Sequence, residues 1–291
     1  MRTNEDSLVK AVVVGEISDS SIALNPAMVG SEGKIVIFFG TGGVSRNVKI
    51  GDPAFGWAAD HIEPGVSLIH SDAGKSRALN VLSCIGNKAV IVRATMNDVF
   101  QIVGKEGFVT GKHGGAERVL VWFDKETVEA LTPDDLIRIE TIGLNLQLLD
   151  YPEIYVRNLS PELLKKLPIE DHGNRLDVGV TTVLPGTLMG SGIGTGNTFR
   201  GDVDIQDTDE EMRKRYNLDA VRLGDIVGIE GYDATWGASM RSGSLTVGLV
   251  IHGASALSGH GPGVIPLLTT RDSSLIKLHK ESVNLADLYG V

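Results

Sequence analysis

The chain has 291 residues, 42% of them hydrophobic, which is enough for one large or two ordinary domains with a sizeable core. Its formal net charge of −10, with no basic stripe to offset it, argues against nucleic acid or an anionic membrane surface as partner; the single cysteine, Cys84, excludes a disulfide framework and cysteine-based metal clusters. Thirty-six glycines against five tyrosines and three tryptophans point to short elements joined by many turns, a β-rich chain.

In chain order, MRTNEDSLVKAVVVG is too short for a signal or a membrane span, and no later stretch reaches eighteen apolar residues, so the expected setting is soluble and cytoplasmic. Leu8 to Val14 reads as a first strand, stopped by Gly15. Lys34 to Phe39 reads as a second, ended by Gly40-Thr41-Gly42-Gly43. Val48 and Ile50 lead into the turn Gly51-Asp52-Pro53, and the polar cluster Asp60-His61-Ile62-Glu63-Pro64-Gly65 comes soon after. Val66 to His70, Ala78 to Ile85, Ala89 to Ala94 and Glu106 to Thr110 read as further short strands, a succession that suggests a barrel or sandwich. Cys84, among Val81, Leu82 and Ile85, reads as a small buried hydrophobe.

Gly111-Lys112-His113-Gly114-Gly115 reads as a loop before the strand Arg118 to Phe123. Helix signals follow: Asp124 as cap of a segment ending near Leu131, and Ser160-Pro161-Glu162, a cap with proline at the first helical position, running to about Leu167. Thr141 to Leu149 is ambiguous between strand and helix. A boundary between Pro133 and His172 divides the chain into residues 1–140 and 141–291. The second half repeats the style of the first. Leu176 to Leu184 is a strand, Met189 to Asn197 a glycine-rich loop, and Asp207 to Tyr216 a helix capped by Asp207 or Thr208, with Arg213 to Arg215 on a solvated face. A strand pair surrounds Gly224-Asp225, and Leu245 to Ile251 ends at His252, before a loop of Gly253, Gly259, Gly261 and Gly263 around His260. Ser274 to His279 adds an edge strand, and a last helix lies near Leu285. The fold expected is mainly β, α+β, with two barrel- or sandwich-like β-rich subdomains and a few short helices.

Val48-Lys49-Ile50-Gly51-Asp52 and Val221-Arg222-Leu223-Gly224-Asp225 share one pattern, with Gly40-Thr41-Gly42 and Gly194-Thr195-Gly196 before them and Ile69-His70 and Ile251-His252 after. An internal duplication would explain this; so would a common way of ending strands in small barrels. The pairing with His70 makes His252 read as architecture, whereas His260 has no counterpart.

Gly190, Gly192, Gly194 and Gly196 follow a strand, yet no amphipathic helix opens after them, so a dinucleotide fingerprint fails. No P-loop, Gly-x-Ser-x-Gly or His-Glu-x-x-His motif occurs. What remains is a set of polar groups in glycine-rich loops: Asp60, His61, Glu63, His113, Asp202, Asp204, Asp233, His252 and His260. Imidazoles and carboxylates converging from loops suit a divalent metal ion or acid/base catalysis. The candidates for catalysis are His260, His61, Asp60 and His113; for a metal, Asp60, His61, Glu63, Asp202 and His252; for ligand contacts, Gly42, Gly43, Lys112, Gly192, Gly194, Gly261 and Gly263, with Lys112 placed to hold an anionic group. His70, His172 and His279 read as structural.

GTGGVSRNVKIGDPAFGWAADHIEPGVS (Gly40 to Ser67), VTGKHGGAERVLV (Val109 to Val121), LMGSGIGTGNTFRGDVDIQ (Leu188 to Gln206) and TVGLVIHGASALSGHGPGVIPLLT (Thr246 to Thr269) resemble the bacterial family of domain of unknown function 4438 over nearly the whole chain. The resemblance implies an N-terminal and a C-terminal part in one unit and a bacterial, cytoplasmic origin, and carries no chemistry with it. A fainter similarity, in style, is to metal-dependent amidases of the acetamidase and formamidase type, whose motif is not intact here.

Three functions are compatible with these residues. One is a hydrolase or lyase acting on a small polar metabolite through a His/Asp cluster, with metal assistance; the others are a non-catalytic small-ligand or anion-binding protein and a structural assembly protein. A homo-oligomer is expected in each case. The first requires that His61, His113, His252 and His260 gather at one place.

Overall fold

β-branched runs extend into strands until glycine or a capped turn releases them. In the computed structural model, which describes residues 1–20, 27–37, 42–95 and 102–291, the first half carries β1 (Ala11–Ile17), β2 (Ala27–Val29), β3 (Ile35–Ile37), β4 (Val44–Ser45), β5 (Gly65–Ile69), α1 (Ala73–Leu82), β6 (Lys88–Arg93), β7 (Glu106–His113), β8 (Arg118–Trp122), α2 (Lys125–Ala130) and β9 (Leu136–Thr141). β1 pairs with β9 on one side and β5 on the other, so the order β1-β9-β6-β7-β8-β5 closes into a six-stranded antiparallel barrel, with β4 beside β5. Closure removes the open edges. Residues two apart fill the barrel: Val66 and Leu68, Ala89 and Ile91, Val119 and Val121, Ile137 and Ile139 are all buried.

The second half carries β10 (Ile154–Val156), α3 (Pro161–Lys166), β11 (Ile169–Asp171), β12 (Leu176–Val180), β13 (Thr182–Pro185), β14 (Val203–Asp204), α4 (Glu210–Tyr216), β15 (Ile226–Asp233), β16 (Ser239–His252), β17 (Gly263–Thr270), β18 (Ile276–Lys280) and α5 (Leu285–Tyr289). Its main sheet runs β10-β17-β16-β15-β13, with β14 on β17, and a smaller one runs β11-β12-β18. The chain is thus mainly β with a few short helices. One apolar cluster includes Ile17, Leu120, Val247 and Ala286, so the two halves share a core. They also pack together where β7 meets β16. A Cβ on Gly111 would come within 2.9 Å of the Ile251 Cβ, and only a glycine lets the strands approach so far.

Several local expectations are corrected. Ala78 to Ile85 is mostly helix: the Asp72 side chain accepts from Lys75 N at 2.8 Å and starts α1, and Leu79 then packs into the core. Gly111 to His113 is the end of β7 and no loop, because β8 pairs along its whole length. Leu176 to Leu184 is two strands in different sheets. Asp209 caps α4, in place of Asp207 or Thr208. Of the expected strand Lys34 to Phe39, Ile35–Ile37 is β3; Phe38, Phe39, Gly40 and Thr41 lie outside the described residues.

The repeated Gly-Asp segments are turns rather than strand ends, and they share one local structure. Asp52 accepts from Lys49 N at 2.9 Å and Asp225 from Arg222 N at 2.8 Å, with Gly51 at φ 91° and Gly224 at φ 88°. The two turns also bond across to each other, Gly51 N to Leu223 O at 2.7 Å and Leu223 N to Asp52 O at 2.8 Å. The likeness stops there, since a closed antiparallel barrel and an open sheet with a parallel β13–β15 pair are different topologies. No helix among the described residues is long and apolar enough to cross a membrane.

Leu79, fully buried, touches the barrel wall where a Cβ on Gly15 would meet its Cδ2 at 3.0 Å. Leu79→Ala is expected to cost about 2–5 kcal/mol in chemical denaturation, with native far-UV circular dichroism retained.

Candidate metal centre

The close approach of β7 and β16 brings their last residues, His113 and His252, together, with ring centroids 4.3 Å apart. A register shift precedes each histidine, between Val109 and Gly111 in one strand and between Val250 and His252 in the other, and such bulges re-aim the side chains that follow. His61 reaches the same place from the loop before β5. Its φ of 50° is unusual for a non-glycine residue, and Ala254 O holds its amide at 3.0 Å. Its ring lies 5.0 Å from that of His252 and 5.8 Å from that of His113. Asp202 and Asp204 arrive through β14; two residues apart on extended backbone, they face the same way.

Each of the three inner histidines has its Nδ1 occupied. His61 Nδ1 meets Asp60 Oδ2 at 2.6 Å, His113 Nδ1 meets Glu63 Oε1, and His252 Nδ1 meets Gly253 O at 2.9 Å, closer than its alternative contact with Gly263 N at 3.3 Å. An Nδ1 that donates outward turns Nε2 inward, the arrangement of metal-ligating histidines. The supporting carboxylates are held in turn. Asp60 accepts from Ser255 Oγ and Ala256 N, and Glu63 accepts from Ser67 Oγ and lies 3.7 Å from Arg118.

At the centre, His252 Nε2 and Asp202 Oδ2 lie 2.8 Å apart, both buried, and form no hydrogen bond. Ligand atoms of His61, Asp204 and His252 lie within 4.8 Å of one another, as do those of His113, Asp202 and His252. Gly263 makes this convergence sterically feasible, because a Cβ there would collide with both Asp202 and His252.

The cluster is electrostatically dense. Burial disfavours a charged His61, yet Asp204 and Asp60 hold its imidazole up at about 10. His113 is raised against the same burial by Glu63. Burial works against the carboxylates too, but His61 and the amide of Ala256 keep Asp60 low, His113 and Arg118 keep Glu63 low, and His260 and His61 hold Asp204 well below the usual range. His260 stands at the rim, its side chain 32% exposed, with Nδ1 3.0 Å from Asp204 and 3.1 Å from His61 Nε2. It borders a cleft of about 290 Å³ that also exposes His61, His113, Ser191, Gly192 and Thr195.

The four histidines, Asp60, Glu63 and Asp202 therefore meet, and His252, taken for architecture, sits at the middle of the group. Asp204 belongs with them; the spacing Asp202-x-Asp204 is the signal that marks it. Asp233 lies elsewhere, bonded to Arg271 and Thr235. Lys112 does not face the cleft. It alternates with His113 along β7, is fully buried, and donates to Asn80 O and Phe199 O at 2.9 Å each, so it ties the loop before Asp202 to the barrel instead of holding an anion. Among the glycines, Gly192 lines the cleft, Gly194 has φ 92° in the neighbouring turn, and Gly42, Gly43, Gly261 and Gly263 serve close contacts with Arg118, Ser20, Ile205 and the Asp202–His252 pair.

The family models described as Domain of unknown function (DUF4438), N-terminal, and Domain of unknown function (DUF4438), C-terminal, match residues 28–165 and 166–289, and the chain belongs to this family. It is similar to the solved crystal structure of TM1086, at 39% identity and a TM-score of 0.92, over 99% of this chain and 98% of that one. No curated protein matches it.

Glu63 touches the centre only through His113. Glu63→Gln is expected to weaken Zn²⁺ binding by about 10- to 100-fold in competition with a chromogenic chelator; an unchanged affinity would remove Glu63 from the shell that supports the ligands.

Proposed function

We propose that this member of the family of domain of unknown function 4438 is a metal-dependent hydrolase acting on a small polar metabolite. The observation that carries the reading is the pair His252 Nε2 and Asp202 Oδ2, buried, 2.8 Å apart and without a hydrogen bond, inside a ring of other inward-facing ligand atoms. Both groups of candidate ligands contain His252, whose Nε2 has a single lone pair, so one ion rather than two fits the set. Three imidazoles with one or two carboxylates favour a transition metal over calcium or magnesium.

A structural site is closed by its ligands, whereas this one borders a cleft, as a catalytic site does. A divalent ion held by His61, His113, His252, Asp202 and Asp204 would supply Lewis acidity and a water of lowered pKa. Around it, Asp60 and Glu63 keep His61 and His113 in the tautomer that points Nε2 inward. Asp204 and the half-exposed His260 form a proton path between the centre and the cleft, with His260 suited to general acid/base work. Gly114 and Gly192, which have no side chain, and the small Ser191 leave backbone groups within reach of a polar substrate.

Elemental analysis of purified protein, supplemented with Zn²⁺ or Mn²⁺, tests the reading. About one ion per chain is expected, falling to near zero in His252→Ala and Asp202→Asn. His260→Ala is expected to keep the ion and to lose about 10²–10⁴-fold in hydrolysis of whichever small amide, ester or lactone the wild type cleaves. A wild-type chain that takes up neither metal, or an unaffected His260→Ala, would sink the proposal.

A further inference from the structure

A second cavity, of about 560 Å³, has Asp60 in its lining. Its floor carries Asp60, Ser255 and Ala256, and its wall is built by Phe55, Trp57 and the start of α4. Asp207 lines it as well. That residue is only 6% exposed, and among the described residues its carboxyl is met only by its own backbone amide and, at longer range, by the charge of Arg213. A carboxyl so buried and so thinly met is costly, and the metal centre does not use this one.

The other charges around the cavity are already matched. Lys34 pairs with Glu32 at 2.7 Å, Arg213 is held by Asp219, Glu210 lies 3.4 Å from Lys214, and Asp60 is bonded to His61. Asp207 is the acid least met by its neighbours. The aromatic wall is prefixed: Trp57 Nε1 donates to Pro53 O at 2.7 Å, and the Phe55 ring is covered on one face by the Arg213 guanidinium at 5.1 Å. A carboxylate in need of a donor beside two aromatic rings selects a ligand with a positive nitrogen and a flat apolar body.

We propose that this cavity binds a small organic cation, a primary ammonium on an aromatic or similarly flat apolar group, with Asp207 as counter-ion and Trp57 and Phe55 as walls. Burial pushes the Asp207 carboxyl up to about 7 despite Arg213 nearby, in keeping with a site left short of positive charge. The site stands apart from the metal reading, and each can fail without the other.

Calorimetric titration with benzylamine tests it. Saturable one-site binding is expected, roughly 10- to 100-fold weaker in Asp207→Asn, the scale of a charge-assisted bond, and weaker too for benzyl alcohol and benzoate. Trp57→Ala provides a second variant should Asp207→Asn unfold, and it is expected to weaken binding as well. Binding should persist after treatment with EDTA; loss under EDTA would assign the amine to the metal centre and overturn the proposal. No binding, equal affinity for Asp207→Asn, or equal affinity for benzyl alcohol would overturn it as well.

Discussion

Taking several carboxylates out of water beside one another is prohibitively expensive unless positive charge or a metal meets them. Asp60, Glu63, Asp202 and Asp204 are all buried here within one cluster, and much of the surrounding architecture reads as the means of meeting that constraint. Four imidazoles, one arginine near Glu63, and donors from Ser67, Ser255 and Ala256 are brought to the same few ångströms. Each of these groups comes from a segment whose backbone is anchored elsewhere, so the cluster is rigid by construction.

The anchors are the barrel wall and the main sheet of the second half. β7 and β16 can lie against each other because Gly111 has no side chain, and the two bulges then turn His113 and His252 to one point. On the far side of β7, Lys112 bonds Phe199 O and so fixes the approach of Asp202. The same chain of contacts explains the paired Gly-Asp turns, which hold the segment before Asp60 against the start of β15 through Gly51, Asp52 and Leu223. Architecture and site are one set of interactions described at two scales.

What could be read from the residues alone follows the range of the forces involved. The caps at Asp124 and Ser160 are local chemistry, and α2 and α3 begin where those residues put them. The mainly β character follows from composition and turn spacing. Barrel closure, by contrast, depends on β1 meeting β5 more than fifty residues on, which no local pattern encodes. α1 escaped for a related reason: the apolar run Ala78 to Ile85 looks like a strand until Asp72, several residues upstream, is seen to cap a helix. In the site, the residue types were legible and the geometry was not. His252 resembles His70 in sequence, yet His70 accepts from Asp72 N near the start of α1, while His252 is central because β7 packs against its strand. Lys112 read as a residue to hold an anionic group because its strand was taken for a loop.

His61, Glu63 and His113 fall in the segment matched by the N-terminal family model, and Asp202, Asp204, His252 and His260 in the segment matched by the C-terminal one. Asp60 is met from the second segment by Ser255 and Ala256, and Asp204 from the first by His61, while the shared core leaves apolar surface on each without the other. A gene that lost or exchanged one segment would forfeit the centre and much of the core in a single event. Selection on the centre therefore acts on the two segments as one unit, whatever their separate origins.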